Sequence, residues 1–183
     1  MIIDGYVNVT GRDSRPIPKK DGGYFIERIM QGAFKRAIAR ADEIKIMHNH
    51  KRVVGSTKEN LCLTEDIIGL RAHAEITDSE IVEKAKQKRL RGWSFGFRNP
   101  TEQKSEANGM ELRSISDMSL LEVSIIDNTM RPWYESTTIE ARAEDEDTEV
   151  RAQEFEADYI GFVEVKTKPD NSHLKELIEK LEV

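Results

Sequence analysis

The sequence predicts an α+β domain in which strands outnumber helices. Short runs that alternate apolar and polar residues recur along the first 127 positions, as in IIDGYVNVT at 2–10 and WSFGFRN at 93–99. Alternation of this kind is typical of strands with one buried face. Two segments have helical periodicity instead, at 32–41 and from 79 onward. The predicted class is therefore mixed, with most of the sheet built from short strands.

The first half of the chain begins with a strand at 2–10 and a loop at 11–23 rich in Gly, Pro, Asp and Lys. A helix is predicted over 32–41, because Phe34, Ala37, Ile38 and Ala41 recur at the spacing of one helix face. A strand at 43–50 then runs into a turn. Two more strands are expected within 52–76.

The second half begins with a helix signal. Thr77 and Glu80 form a capping box, and Gly92 is a suitable residue just beyond the helix end. The strand that follows points Trp93 and two phenylalanines to one face, and Ser94 and a glycine to the other. A polar loop at 101–109 and two further strands within 110–127 complete the predicted order.

Composition and charge exclude several classes of protein. The 183 residues carry a net charge of −6, the opposite sign from a nonspecific nucleic-acid binder. One cysteine, Cys62, permits no internal disulfide, and its apolar neighbours predict a core position. No apolar run is long enough for a membrane helix, and the N-terminus has no signal-peptide pattern. We expect a soluble intracellular protein.

The composition changes after residue 136. We predict one domain over 1–136 and a charged C-terminal extension over 137–183. Within the extension, residues 159–167 could form a strand. A short helix near the end would carry Leu174, Leu177, Ile178 and Leu181 on one face, which needs a partner surface.

Two histidines lie two positions apart in MHNHKRVVGS, at 47–56. A histidine pair on one strand face could bind zinc, but no further ligands with metal-binding spacing lie nearby. The letters H-N-H do not indicate the nuclease of that name, whose residues are spread over a longer ββα unit. A structural role for both histidines is the remaining alternative at this point.

Two later motifs together favour catalysis, although each alone also fits a structural role: a serine chosen for its small size, and a glutamate exposed to water on an edge strand. Ser94 lies between aromatic residues on a strand face otherwise occupied by glycine, which leaves its hydroxyl accessible as a nucleophile requires. Glu122 lies in an apolar run, LLEVSII, where a buried carboxylate needs a partner such as a histidine N–H. Histidine, serine and carboxylate are the parts of a serine hydrolase. Their order here, His, Ser, Glu, matches none of the familiar triads.

Five segments in order give a resemblance to a known family. GYVNV, ERIMQGAFKRAI, MHNHKRVVGS, LRGWSFGFR and LLEVSIIDNTMRP lie within the first 135 residues or so. Together they resemble the prohead (capsid-maturation) proteases of tailed bacteriophages and prophages, which are related in fold to the herpesvirus assemblin proteases. Gln31 stands where many relatives have proline, and Trp93 is bulkier than the usual residue before the serine.

The resemblance implies site residues. In the family the catalytic histidine precedes a glycine by seven positions, and the spacing to Gly55 selects His48 as the general base. Ser94 then matches the nucleophile, and Glu122 matches the third member of the triad. Arg131 matches the region that supplies the oxyanion site in the herpesvirus relatives. Trp93 could narrow the substrate pocket.

The resemblance also implies a fold and a role. The fold is a mostly antiparallel β-barrel of about six or seven strands with helices around it. The role is a serine endopeptidase that needs no cofactor or metal. It would act in the host bacterial cytoplasm, inside the assembling procapsid. Its substrates would be the scaffold, the scaffolding segment of the major capsid protein, and the protease itself. A homo-oligomer, a dimer or larger, is expected, with no nucleic-acid or membrane partner.

Two other functions remain open from the sequence. The first is a non-enzymatic scaffold or assembly protein on the same fold, acting through the charged extension and its leucine-rich helix. The second is a metal-dependent nuclease, which the acidic charge and the missing ligands disfavour.

Overall fold

The computed structural model describes residues 1–134 and 139–142. Its elements, in chain order, are β1 (Ile2–Val9), β2 (Ile17–Pro18), β3 (Tyr24–Ile29), α1 (Ala33–Arg40), β4 (Lys45–His48), β5 (Arg52–Ser56), β6 (Leu61–Glu65), β7 (Gly69–Glu75), α2 (Ser79–Lys86), β8 (Leu90–Ala107), β9 (Met110–Asp127) and β10 (Glu140–Arg142).

The strands form two sheets. The four-stranded sheet has the order β10-β1-β7-β6, and all its neighbours are antiparallel. The six-stranded sheet follows the path β2-β3-β9-β4-β5, and β8 also pairs with β9. β9 is parallel to β3 near its start and to β4 near its end, and antiparallel to β8 along most of its length. One long strand therefore joins three parts of the sheet.

This architecture confirms a mixed α+β class dominated by strands. Neither sheet closes on itself within the described residues, so the expected barrel is not confirmed. Ten strands are found in this part of the chain, more than the six or seven that were expected, because short edge strands such as β2 and β10 pair with longer neighbours.

The core lies where α1 and the two sheets meet. Phe34 of α1 and Trp93 of β8 are fully buried, together with Ile3, Ile46 and Ile125 from β1, β4 and β9. The ring of Phe95 meets Phe34 edge-on at 5.2 Å and lies 5.5 Å from Tyr134. These contacts fasten β8 to α1 through the face opposite Ser94, because alternate residues of a strand point to opposite faces.

The second helix differs from its prediction. It is capped by Asp78, whose side chain accepts a hydrogen bond from the Ile81 N–H at 3.1 Å, rather than by Thr77. It ends at Lys86, well before Gly92, because Lys88 takes a left-handed conformation with φ of 55°. The residues that follow extend into β8.

The predicted loop at 101–109 is instead part of a long hairpin. β8 continues to Ala107, and the turn at Asn108 and Gly109 leads directly into β9. Both turn residues have positive φ, as the two-residue turns of hairpins require. The polar side chains of this segment are compatible with a strand because most of them are exposed.

Cys62 is exposed, which corrects the expected core position. Its neighbours Leu61 and Leu63 point inward, so Cys62 points outward, opposite His73 of β7. No helix in the described residues is both long and apolar enough to cross a membrane. The predicted strand at 159–167, the C-terminal helix and most of the charged extension lie outside the described residues, and the boundary at 136 stays a prediction.

Candidate active site

The part of the sheet where β9 lies between β4 and β8 contains most of the predicted site residues. Ser94 on β8 lies directly opposite Ser124 on β9, and Gly96 lies opposite Glu122. Directly opposed residues of an antiparallel pair project from the same face. Ser94, Ser124 and Glu122 therefore share one face of the sheet.

His50 reaches this same face. Its Nδ1 lies 2.7 Å from Oε1 of Glu122, and 72 residues separate the two along the chain. A carboxylate can only accept, so Nδ1 carries the proton of this hydrogen bond. With Nδ1 engaged, Nε2 is the ring nitrogen that remains to accept a proton. This is the arrangement by which a carboxylate fixes the tautomer of a catalytic histidine.

Ser124 closes a small network behind this pair. Its hydroxyl donates to Oε2 of Glu122 at 2.6 Å and accepts the backbone N–H of His50 at 3.1 Å. Ser124 is fully buried, whereas Ser94 is only partly buried. Ser124 thus fixes the carboxylate and the histidine backbone together, while its own hydroxyl is enclosed by its partners.

Ser94 has the properties of an accessible hydroxyl. In the described part of the chain, its side chain makes no hydrogen bond. Gly96, two positions along the same face, carries no side chain that could cover it. Nucleophile–base hydrogen bonds are frequently long before substrate binds, so this geometry is compatible with attack on a bound peptide.

His48 has a different environment. It pairs with Ile125 across the parallel β4·β9 ladder, on the face that also contains Trp93. The side chain is 7% exposed, and Nε2 lies 3.1 Å from Oδ2 of Asp127. The structure therefore brings Ser94 and Glu122 together with His50, and places His48 on the opposite face of the sheet.

Asp127 is the centre of the polar group around His48. It is fully buried, and Oδ2 also accepts a hydrogen bond from Nζ of Lys84 at 2.6 Å. Burial alone would raise the pKa of Asp127, but hydrogen bonds from Lys84 and Thr129 outweigh it and hold that pKa well below its ordinary value. The same contact raises the pKa of Lys84. The sequence reasoning missed Asp127, although an aspartate ending an apolar strand is a signal that could have indicated it.

The two remaining predicted residues are Trp93 and Arg131. Trp93 is fully buried on the core face, so its side chain offers no surface to a substrate. Arg131 is exposed and lies in the segment that follows β9. Its role in stabilising an oxyanion stays a prediction.

The two histidines do not converge on a common ligand position. His48 faces Asp127 and His50 faces Glu122, on opposite sides of the sheet. Within residues 1–134 and 139–142, no group of three or more His, Cys, Asp and Glu side chains is arranged to hold a metal ion.

Comparisons with known proteins agree with the resemblance found in the sequence. A family model described as caudovirus prohead serine protease matches residues 1–152, which is most of the chain. No curated protein and no solved structure was found to match. The family is one of serine peptidases, in agreement with the grouping of Ser94, His50 and Glu122 on one face of the sheet. The chain belongs to the caudovirus prohead serine protease family.

Proposed function

We propose that the protein is a serine endopeptidase of phage head maturation in which Ser94 is the nucleophile, His50 the general base and Glu122 the residue that orients His50. The observation that supports this most strongly is the His50–Glu122 hydrogen bond beside Ser94. The spacing to Gly55 favours His48 as the base, but the contacts favour His50.

The assignment of the base depends on which histidine can exchange a proton with Ser94. His48 is turned into the core and bonded to Asp127. His50 lies on the nucleophile's face with a side chain 34% exposed, and its Nε2 is available. The two histidines therefore differ in access as well as in partner.

The assignment of the nucleophile depends on access to a peptide carbonyl. Ser124 lies 3.2 Å from Nδ1 of His50, but it is fully buried and hydrogen-bonded to Glu122. Ser94 is partly exposed on an open strand face. A peptide carbonyl can approach Ser94, but it cannot approach Ser124 unless the side chains of His50 and Glu122 are displaced.

The proposed reaction proceeds in two steps. The Ser94 hydroxyl attacks the scissile carbonyl while its proton passes to Nε2 of His50, and the Glu122 carboxylate stabilises the imidazolium. The proton is then transferred to the leaving amine as the peptide C–N bond breaks. Water, activated by His50, hydrolyses the ester on Ser94 and restores the enzyme.

The proposed substrates are capsid proteins: the scaffold, or the scaffolding segment of the major capsid protein, and the protease itself. Family membership supports a capsid-protein substrate. Confinement within a procapsid raises the local substrate concentration, so a modest catalyst suffices. The alternative role in scaffolding depends on the C-terminal extension, most of which lies outside the described residues, and it stays a prediction.

The test compares the wild-type chain with Ser94→Ala and with Ser105→Ala, a matched control for an exposed serine on the same strand. Each protein is incubated with unprocessed major capsid protein and with a fluorophosphonate probe. We expect cleavage and labelling by the wild type and Ser105→Ala, with the probe mapped to Ser94 by mass spectrometry. Processing by folded Ser94→Ala would reject the proposal.

A further inference from the structure

The turn that carries His50 has an uncommon composition. His48 to Lys51 form a two-residue hairpin turn closed by a hydrogen bond from the Lys51 N–H to the His48 carbonyl at 3.0 Å. Both central residues are left-handed, with φ of 51° at Asn49 and 58° at His50. Such turns favour Asn followed by Gly, because only glycine takes this conformation without steric cost. His50 occupies the position where such turns favour glycine, so contacts with neighbouring residues must stabilise its left-handed conformation.

Asn49 provides much of that support. Its Oδ1 accepts the backbone N–H of Asp127 at 3.1 Å, and its Nδ2 lies 3.4 Å from Oγ1 of Thr129. Its own backbone N–H donates to the carbonyl of Ile125 at 3.0 Å. One asparagine thus fastens the turn to the end of β9 through both its side chain and its main chain.

Asp127, to which the turn is attached, is itself held in place by several hydrogen bonds. Oδ1 of Asp127 accepts hydrogen bonds from the N–H and hydroxyl of Thr129, and Oδ2 contacts His48 and Lys84. Both residues that precede His50 are therefore connected to the same buried aspartate, and the turn has little freedom to rotate.

We propose that Asn49 is a positioning residue that keeps the His50 ring on Glu122 and directs Nε2 toward Ser94. This inference rests on the proposed role of His50 as the base. Without the Asn49 side chain, the turn relaxes and the imidazole leaves Glu122 for part of the time. The ring then spends less time in the geometry that proton transfer needs, and a displacement of this kind lowers turnover without removing a catalytic group.

The chain offers a matched control for the test. Asn108 has φ of 53° and is followed by a left-handed glycine at the far end of the β8–β9 hairpin. Asn49→Gly and Asn108→Gly both keep a residue that tolerates positive φ, and both remove one asparagine side chain. Thermal unfolding of each full-length variant shows whether it is folded.

We expect Asn49→Gly to lower kcat for capsid-protein cleavage by about 10–100-fold, with KM nearly unchanged. Asn108→Gly should stay within about twofold of the wild type. If folded Asn49→Gly keeps the kcat of Asn108→Gly, the inference is overturned.

A second readout does not depend on activity. The proton on Nδ1 of His50, hydrogen-bonded to Glu122, should give a slowly exchanging NMR signal in the wild type and in Asn108→Gly. It should broaden or disappear in Asn49→Gly, and its persistence there would overturn the inference. Failure of the proposed function looks different: Ser94→Ala would retain the wild-type activity, and the NMR comparison would still decide the role of Asn49.

Discussion

Gly96 lies directly opposite Glu122, so closely that a β carbon on Gly96 would come within 2.5 Å of Oε1. That oxygen is the one bonded to His50. The absence of a side chain at position 96 therefore gives the carboxylate the space in which it orients the histidine.

Gly96→Ala should displace Glu122 from His50. The carboxylate is the end of a flexible side chain and can move, so the unfolding temperature should change little. We expect kcat to fall by about 100-fold, because the base loses its orientation. The measurement is steady-state cleavage of capsid protein beside thermal unfolding.

Gly69→Ala is the contrasting control. A β carbon there would lie 2.1 Å from the backbone oxygen of Asn8, which cannot move independently. This variant should lose stability but retain kcat for each folded molecule. Unchanged activity in folded Gly96→Ala would argue against a catalytic role for Glu122.

Substitutions of the two histidines should have different effects: at His50 mainly on activity, and at His48 mainly on stability. His50→Gln should lower kcat by about 10²–10⁴-fold, as expected for loss of a general base. His48→Gln should lower kcat for the folded protein much less than His50→Gln does, because it removes a support of the turn and not the proposed base. It should lower the free energy of unfolding by about 1–3 kcal/mol, because buried Asp127 loses a hydrogen-bond partner.

Capsid-protein cleavage and urea unfolding, measured on both histidine variants, test this prediction. The opposite pattern, a folded but inactive His48→Gln beside an active His50→Gln, would restore His48 as the base. That outcome would agree with the spacing to Gly55.

Ser124→Ala should weaken the site without abolishing it. The change leaves Oε2 of Glu122 and the backbone N–H of His50 without their shared hydroxyl. An unsatisfied buried group costs about 1–3 kcal/mol, so we expect kcat to fall by roughly 5–100-fold. Fluorophosphonate labelling should still occur at Ser94, only more slowly. If labelling stops and the wild-type adduct maps to Ser124, the roles of the two serines are reversed.

Asp127→Asn should change how stability depends on pH. The pKa of Asp127 is lowered in the folded protein, so its carboxylate stabilises the fold above the unfolded value of about 3.9. That stabilisation is lost as the pH falls toward the folded pKa. Near neutral pH, the variant should be less stable by about 3 kcal/mol, because Lys84 loses its buried partner and keeps only the exposed carboxylate of Glu80. Below about pH 4 the difference should shrink.

Urea unfolding of the wild type and Asp127→Asn between pH 3 and 7 measures this effect. Asp117→Asn is the control, because Asp117 forms an exposed pair with Arg40 and should contribute much less. A difference for Asp127→Asn that stays constant across this range would contradict the prediction.

Strand patterning predicted the strands that carry Ser94 and Glu122, but not which histidine reaches them. Alternation around Ser94 and the apolar run around Glu122 are local signals, and both segments do form strands. Whether His48 or His50 reaches Glu122 depends on where β4 ends and on two left-handed residues after it. The number of residues between a histidine and Gly55 does not show which face of the sheet the histidine side chain reaches.

Pairing between segments far apart in the chain explains the other differences between the predicted and the observed structure. The polar residues at 101–107 extend as a strand because β9 lies beside them and satisfies their backbone groups. The apolar strand that ends at Asp127 is a signal of burial, but the partners that make Asp127 an anchor, His48 and Lys84, lie 79 and 43 residues away. Neither relationship is encoded in a local sequence window.

The sheet topology also bears on when the chain could become active during folding. The proposed nucleophile and acid lie on one hairpin, β8 and β9, which can pair locally. The proposed base arrives on β4, through a parallel pairing with β9 between segments far apart in sequence, and such contacts form slowly. A partly folded chain in which only this hairpin has formed would hold a serine and a carboxylate but would lack the proposed base. A chain in that state could not cleave a peptide by the proposed mechanism, so cleavage would begin only after the long-range pairing has formed.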